Sequence, residues 1–368
     1  MLVPTYVLSD LHLDEQADGR LFDDERQGKA LAALCGRLAE EPGAELILLG
    51  DTLDLTAMLP PERGLDDFSR RVRVPLEAPP LRSSAELCKA AVRGNQRAAA
   101  ALAQLAERIP VFIVPGNHDR HLAEPGAEEA LAAAGLGKLR LRPYLVRDLG
   151  GRTVVLQHGH HFDHGNKAAG GTGEAMTACL HHAVIPYLKA HGARKHVRMD
   201  LDRVVALRPE EGIISVLQRW LGDEDFGHFF RAFLDLLAVN GYLPRPLAFL
   251  AGLVPVDEVR AQVRKADRLW EDACGTARAC LRGDKQLPLG APQPDLLILG
   301  HTHMLDWVLE GEDKLYVNLG TWSERAHDAT GPLDTTLPVL EMRLRDGRPE
   351  VILRDLNEPD VALQRYSI

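Results

Sequence analysis

The sequence predicts an α/β fold: a largely parallel sheet with flanking helices and a large helical insertion before the last part of the chain. Three features of the 368-residue sequence carry this. Short apolar runs of strand length alternate with segments of helical periodicity. Each run stops at a loop containing Gly, Asp or His, so polar side chains gather where the strands end. In parallel sheets, ligands sit beyond those carboxyl ends. From about residue 165 to 294 the strand pattern gives way to helical periodicity punctuated by Pro and Gly.

Taken in order, Thr5–Leu8 reads as a buried strand ending in a loop at Asp10. Glu25–Ala39 is rich in Ala and Leu and reads as a helix. Glu45–Leu49 is a second strand, stopped by Gly50-Asp51. Ser83–Arg108 is expected as one long helix, with Ser83 and Ser84 as candidate caps. Val111–Val114, Thr153–Leu156 and Leu296–Leu299 are further strands, stopping at Pro115-Gly116-Asn117, near His158, and at Gly300-His301. The insertion offers Met176–Ala190, Asp202–Leu221, Asp225–Val239 and Val256–Leu281 as helices. Lys314–Asn318 and Leu337–Leu344 alternate as strands do, and Val351–Leu356 is expected to pair with the second.

Composition narrows the function classes. Hydrophobic residues make up 45% of the chain, enough for a sizeable core. A net charge of −10 and only 5% aromatic residues argue against broad nucleic-acid binding, which needs a basic surface and stacking platforms. Five cysteines without a CxxC pair read as buried small hydrophobes in a reducing compartment. The N-terminus lacks the pattern of a secretion signal, and no run reaches the roughly 18 apolar residues of a spanning helix. The expected location is cytoplasmic, with at most peripheral membrane contact.

Five clusters carry chemistry: Asp10-Leu11-His12, Gly50-Asp51-Thr52-Leu53-Asp54, Gly116-Asn117-His118-Asp119, His158-Gly159-His160 and Gly300-His301-Thr302-His303. Each alone is also an ordinary turn or cap; five in succession, each after a strand, are not. Their mixed nitrogen and oxygen donors suit Mn, Fe, Co, Ni or Zn, whereas a Mg site would lean on oxygens. Two residues apart in an extended chain, Asp10 and His12 would point the same way and reach one ion. His301 and His303 have the same spacing and could each meet a different ion. A carboxylate such as Asp51 can bridge a pair, and two ions about 3.5–4 Å apart can clamp the attacking and leaving oxygens of a phosphoryl transfer.

The order DxH, GDxxD, GNHD, HGH, GHTH resembles the calcineurin-like metallophosphoesterases. The resemblance implies a four-layer αββα sandwich formed by residues 1–164 and 295–368, with residues 165–294 as a helical cap. It implies two divalent ions, Mn foremost. Asp10, His12 and His303 would bind one, Asn117, His158 and His301 the other, and Asp51 would bridge them. His118 would be the general acid for the leaving oxygen, oriented by Asp54. His160 is left open between ligand, phosphate contact and bystander; Asp119 is assigned to the turn and Asn318 to a supporting role. Leu55 stands where the phosphoprotein phosphatases continue with Arg, which argues against protein dephosphorylation. Ser9-Asp-Leu-His-Leu and Gly50-Asp-Thr-Leu-Asp are closer to the UDP-2,3-diacylglucosamine pyrophosphatase branch, although that branch usually has HGD where this chain has His158-Gly-His. The expected substrate is a phosphorylated small molecule or lipid-linked phosphate. A nuclease, or a partner-binding scaffold without turnover, is the alternative.

Overall fold

The computed structural model describes residues 3–15, 18–167, 171–196, 199–207, 212–241, 271–326 and 333–367. The apolar runs are strands buried along most of their length: β1 Thr5–Leu8, β2 Glu45–Leu49, β3 Val111–Val114, β6 Arg152–Leu156 and β7 Leu296–Leu299. With them come β4 Arg140–Leu141, β5 Leu145–Leu149, β8 Leu305–Glu310, β9 Lys314–Leu319, β10 Arg325–Ala326, β11 Leu333–Asp334, β12 Pro338–Arg345, β13 Arg348–Asp355 and β14 Ala362–Ser367.

Two large sheets result, ordered β14-β13-β12-β1-β2-β3-β4 and β5-β6-β7-β9-β8. Both sheets are mixed: β1, β2, β3 and β4 pair in parallel, as do β6, β7 and β9, while β12, β13, β14, β5 and β8 join antiparallel, so the expected parallel character holds for the motif strands and their neighbours β4 and β9. As expected, the last long strands pair, Pro338 opposite Asp355 through Arg345 opposite Arg348.

The period of two along a strand explains the layering. Ile47, Leu49, Val114, Leu156, Ile298 and Val317 form the apolar layer between the sheets. Their alternates on the first sheet, Leu46, Leu48, Val111 and Ile113, pack on helices α1 Gln27–Leu38, α3 Ser84–Gly94, α4 Gln96–Ala106 and α5 Ala127–Ala133. On the second sheet Val155, Leu297 and Leu299 pack on Ala277, Cys280 and Leu281 of a helix spanning 271–282 in the described residues. The architecture is therefore the αββα sandwich.

Two expectations about helices need correction, and a third lies mostly outside the described residues. Ser83–Arg108 is two helices, broken at Asn95, whose φ of −127° and ψ of 57° are not helical. The buried Asn95 amide donates to the Asp14 carbonyl at 2.6 Å, and a Cβ on Gly94 would lie 2.5 Å from that carbonyl. The break thus lets the segment after His12 pass close by, a tertiary demand that periodicity does not report. Ser83 forms the expected cap, reciprocated by Glu86. Asp202–Leu221 is likewise not one helix: α8 Leu201–Ala206 stops at an extended Leu207, and α9 is Gly212–Leu221. Of Val256–Leu281, residues 256–270 lie outside the described residues.

The segment between β6 and β7 also holds α6 Thr172–Cys179, a π-helical turn Leu180–Val184, α7 Ile185–Lys195 and α10 Asp223–Val239. Its apolar cluster joins Tyr187, Phe229 and Phe233 to Leu65 and Phe68 of α2 Leu65–Val72, a helix that the sequence reading did not single out. Among the described residues no helix is long and apolar enough to cross a membrane.

Candidate metal centre

The five clusters begin where β1, β2, β3, β6 and β7 end, and the sheets bring them to one place. The loop after β1 runs beside the loop after β2: the amides of Asp10, His12 and Leu13 donate to the carbonyls of Gly50, Asp51 and Thr52 at 3.1, 2.9 and 3.0 Å. Asp10, His12, Asp51, His301 and His303 have φ values of 56°, 55°, 46°, 77° and 56°. All five are left-handed, a region that non-Gly residues enter at a cost and that concentrates at functional sites. This corrects the reading of Asp10-x-His12 as extended chain. Both side chains do reach one centre, but from a tightly turned backbone that buries Leu11 between them.

Three groups of side chains offer ligand atoms within 4.8 Å of one another: Asp10, His12 and His303; Asp51, His158 and His301; and His12, Asp51 and His118. The first two bring together residues that the sequence reading assigned to the same ion. Asn117 joins the second through its Oδ1, 3.3 Å from His158 Nε2. All seven expected ligand positions are therefore together. The third group places His118 against both sets. None of the three groups includes His160, which has no hydrogen-bond partner for Nδ1 among the described residues and whose basicity burial and the neighbouring His158 and His161 push well below normal.

The donors are turned inward by partners on their far sides. Asp54 Oδ2 lies 3.1 Å from His12 Nδ1, and the Leu49 carbonyl 2.9 Å from His158 Nδ1. Each Nδ1–H is thereby engaged, which leaves each Nε2 with its lone pair facing the centre. There His12 Nε2 is 3.0 Å from His303 Nε2, His303 Nε2 is 3.3 Å from Asp10 Oδ1, and His158 Nε2 is 3.1 Å from Asp51 Oδ2. Buried imidazole lone pairs converging on buried carboxylates, each backed by an acceptor, fit divalent cations as ligands.

Asp54 does more than turn the chain. Its Oδ1 accepts from the Ala57 amide at 2.9 Å and meets His118 Nδ1 at 2.9 Å, while Oδ2 holds His12. Burial alone would lower the basicity of His118; Asp54 and Asp51 outweigh it and lift the imidazole to about 10. Burial would likewise raise Asp51 and Asp54, yet the surrounding histidines hold both well below the usual carboxylate range. Asp119 serves the backbone, as expected, by clamping two loops together. Its Oδ1 accepts from Gly116 N at 2.6 Å, and its Oδ2 from Thr52 N at 2.8 Å and Leu53 N at 3.2 Å. Asn318 supports the last motif by donating to the Gly300 carbonyl at 2.6 Å.

Close approach requires glycine at three motif positions, among them Gly50, where an added Cβ would fall on the His158 ring. A Cβ on Gly116 would fall on Asp51 Oδ1, and one on Gly300 on the Ser9 hydroxyl and the Asp10 carboxylate.

Sequence reasoning passed over three contributors. Asp163, buried, lies 3.0 Å from His301 Nε2. Arg120, two residues after His118, pairs with Glu174 of α6 at 2.7 Å. His182, in the π-helical turn, meets the Ala57 carbonyl at 3.0 Å, and burial pushes its neighbour His181 down to about 4 against the opposing pull of Asp54. The signals were there, an Asp five residues after His158 and a His pair in a helix, but nothing local assigns their partners.

The family model for calcineurin-like phosphoesterases matches residues 3–305. No curated protein matches the chain. Solved structures that resemble it include a dimetal phosphatase from Danio rerio, 13% identical over 100% of this chain and 98% of that one, with a TM-score of 0.37. A Vps29 from Entamoeba histolytica complexed with zinc is 11% identical over 99% and 98%, with a TM-score of 0.32. A conserved uncharacterised protein from Streptococcus pneumoniae, described as a predicted phosphoesterase, is 12% identical over 100% and 99%, also at 0.32. Likenesses at such scores decide nothing about substrate or mechanism.

Proposed function

This chain belongs to the calcineurin-like phosphoesterase family, and we propose that it is a two-cation hydrolase of a phosphate ester or anhydride. The observation that carries the reading is that two ligand groups, Asp10/His12/His303 and Asp51/His158/His301, adjoin a His118–Asp54 pair 2.9 Å apart. Mn is the first choice of cation, with Fe, Zn, Co and Ni suiting the same donors. Bound there, two cations supply Lewis acidity that lowers the pKa of a water and neutralises charge on the phosphate oxygens.

The chain's own groups do the rest. His118, with Nδ1–H held by Asp54, carries its other proton on Nε2 when protonated, and that proton passes to the leaving oxygen. Once it has gone, the Asp54 carboxylate keeps the neutral ring in the same orientation. Asp51, which also accepts the His118 amide on Oδ1 at 2.8 Å, couples the position of His118 to the ligand groups.

The helical segment 165–294 is proposed as a cap that selects the substrate. Its contacts with the site's loops, His182 on Ala57 and Glu174 on Arg120, support that role. A phosphorylated small molecule or lipid-linked phosphate fits an acidic, aromatic-poor chain better than nucleic acid does. A cytoplasmic protein, at most peripheral to the membrane, would meet such substrates.

The test is turnover of p-nitrophenyl phosphate and its bis ester by metal-stripped protein reconstituted with Mn, for the wild type, Asp51→Asn and His118→Asn. Metal-dependent turnover that collapses in both variants is expected, and the preferred ester sorts phosphatase from diesterase. Two bound cations with no turnover of any phosphoester would move the assignment to a binding scaffold.

A further inference from the structure

The loop after His158 contains a carboxylate that the five motifs leave without a role. Asp163 is 2% exposed, and its partners leave little freedom. Oδ1 accepts from the Gly165 amide at 2.8 Å. Oδ2 accepts from Asn166 Nδ2 at 2.6 Å and lies 3.0 Å from His301 Nε2, 138 residues away in the chain.

A carboxylate already satisfied by two N–H donors meets a neutral imidazole as an acceptor, so the ring proton of His301 must sit on Nε2. The lone pair is then on Nδ1. The backbone amide of His301 is fixed separately, by donating to the Asp10 carboxylate at 3.0 and 3.2 Å. Main chain and ring are therefore set by two different carboxylates.

We infer that Asp163 is a positioning residue for the second cation: by accepting the Nε2–H of His301 it fixes the tautomer in which Nδ1 can serve the group of Asp51, His158 and His301. It does for His301 what Asp54 does for His12 and the Leu49 carbonyl for His158, so each of these imidazoles owes its tautomer to a different partner. The His301 ring belongs to the second group and not to the first, which meets His301 through its backbone amide, so the two cations should respond differently to the loss of Asp163. The inference rests on the two-cation reading of the site but not on turnover.

Metal-stripped protein labelled with 15N-histidine would be titrated with MnCl2 by calorimetry and, before metal addition, examined by long-range 1H–15N spectra. The proteins are wild type, Asp163→Ala, Asp163→Asn and Asn166→Ala, with His301→Gln to assign the resonance. In the wild type, His301 is expected as a single tautomer protonated on Nε2. Asp163→Ala should lose that preference and weaken one of two Mn affinities by about 10–100-fold, leaving the other unchanged. Asp163→Asn, which can still accept through its oxygen, should recover part of the loss. Asn166→Ala should keep the His301 tautomer.

Equal weakening of both affinities with an unaltered His301 signal would make Asp163 a structural loop residue and overturn the inference. Unchanged affinities in both Asp163 variants would do the same, as would a wild type that takes up a single cation. If Asp163→Ala proves unstable, Asp163→Asn carries the comparison alone. Two cations bound with this pattern, but no phosphoester hydrolysed, would sink the proposed function and leave the role of Asp163 standing.

Discussion

Asp54→Asn separates two jobs that one carboxylate performs. Oδ1 serves two partners, His118 Nδ1 and the Ala57 amide, each at 2.9 Å; Oδ2 serves one, His12 Nδ1 at 3.1 Å. An amide is the same shape but has a single acceptor. If its oxygen stays with His118 and Ala57, its NH2 faces His12 Nδ1. His12 must then accept there and carry its proton on Nε2, the atom it turns toward His303 and Asp10. The opposite orientation strands both Oδ1 partners. Hydrogen bonds to a charged group contribute about 1.5–3 kcal/mol each, so losing one costs less than losing two. The amide should therefore sacrifice His12. The expected result is a cation affinity about 10–100-fold weaker at the Asp10/His12/His303 group, the scale for losing a ligand's outer partner. Turnover at saturating metal should suffer less than the roughly 100- to 10,000-fold expected for losing a general acid. Calorimetric titration with Mn, together with turnover measured across Mn concentrations, distinguishes the two. An unaltered Mn affinity with a collapsed kcat would refute the reasoning and show that Asp54 acts through His118 alone.

Gly116→Ala places a methyl group on Asp51 Oδ1 and against the Asp51 amide. Because Asp51 belongs to two of the three ligand groups, bound metal per chain should fall while the fold survives, at a cost of about 1–3 kcal/mol; elemental analysis and thermal melts check this. In metal-stripped protein, Asp54 and Asp51 outweigh burial to lift His118 to about 10, and Asp51 and Asp10 do the same for His158, to about 9. Folded-state values above the ordinary one mean stability that is full below about pH 6.5 and is lost as pH rises toward 9 and then 10. The melting temperature of the stripped protein should fall across that window, with a shallower slope in His118→Asn; an identical slope would rule out His118 as a source. Ser83→Ala removes one half of the capping box on α3, far from the ligands, and should cost about 1 kcal/mol in chemical denaturation while leaving Mn affinity intact.

What the sequence made legible follows from where the signals are local. Val111–Val114 and Leu296–Leu299 are each buried on both faces, so each reads as an unbroken apolar run, stopped by Pro115-Gly116 or Gly300 with a polar residue just beyond. Leu145–Leu149 is an edge strand with alternating burial, exposing Val146 and Asp148, and it carries no such run. The break at Asn95 answers to the Asp14 carbonyl 81 residues away, and the role of Asp163 to His301. Arg120 finds Glu174 across the site. In each case the missing information is a partner distant in sequence, which neither periodicity nor spacing encodes. The helical segment was legible as helices, but not that Phe68, from α2 in the first half of the chain, packs edge-on against Phe229 and Tyr187 within it.

The left-handed backbone at the centre ties these observations together. Five candidate ligand residues with φ between 46° and 77° would each cost about 1–3 kcal/mol in isolation, so the surroundings must hold them. The Asp10 carbonyl accepts from the Thr321 hydroxyl at 2.9 Å and from the Trp322 amide at 3.2 Å. The His12 amide is taken by the Asp51 carbonyl, the His301 amide by the Asp10 carboxylate, and the His303 carbonyl by Arg325 at 3.1 Å. Every one of these restraints is a protein–protein hydrogen bond that does not need a cation. The turned loops are therefore held by the fold itself, where the strand ends of two sheets meet. That is the arrangement expected where ordering cost is met during folding rather than at binding. It explains why residues as far apart as Asp10 and His303 can be read as one site from five short motifs, each at a strand's end.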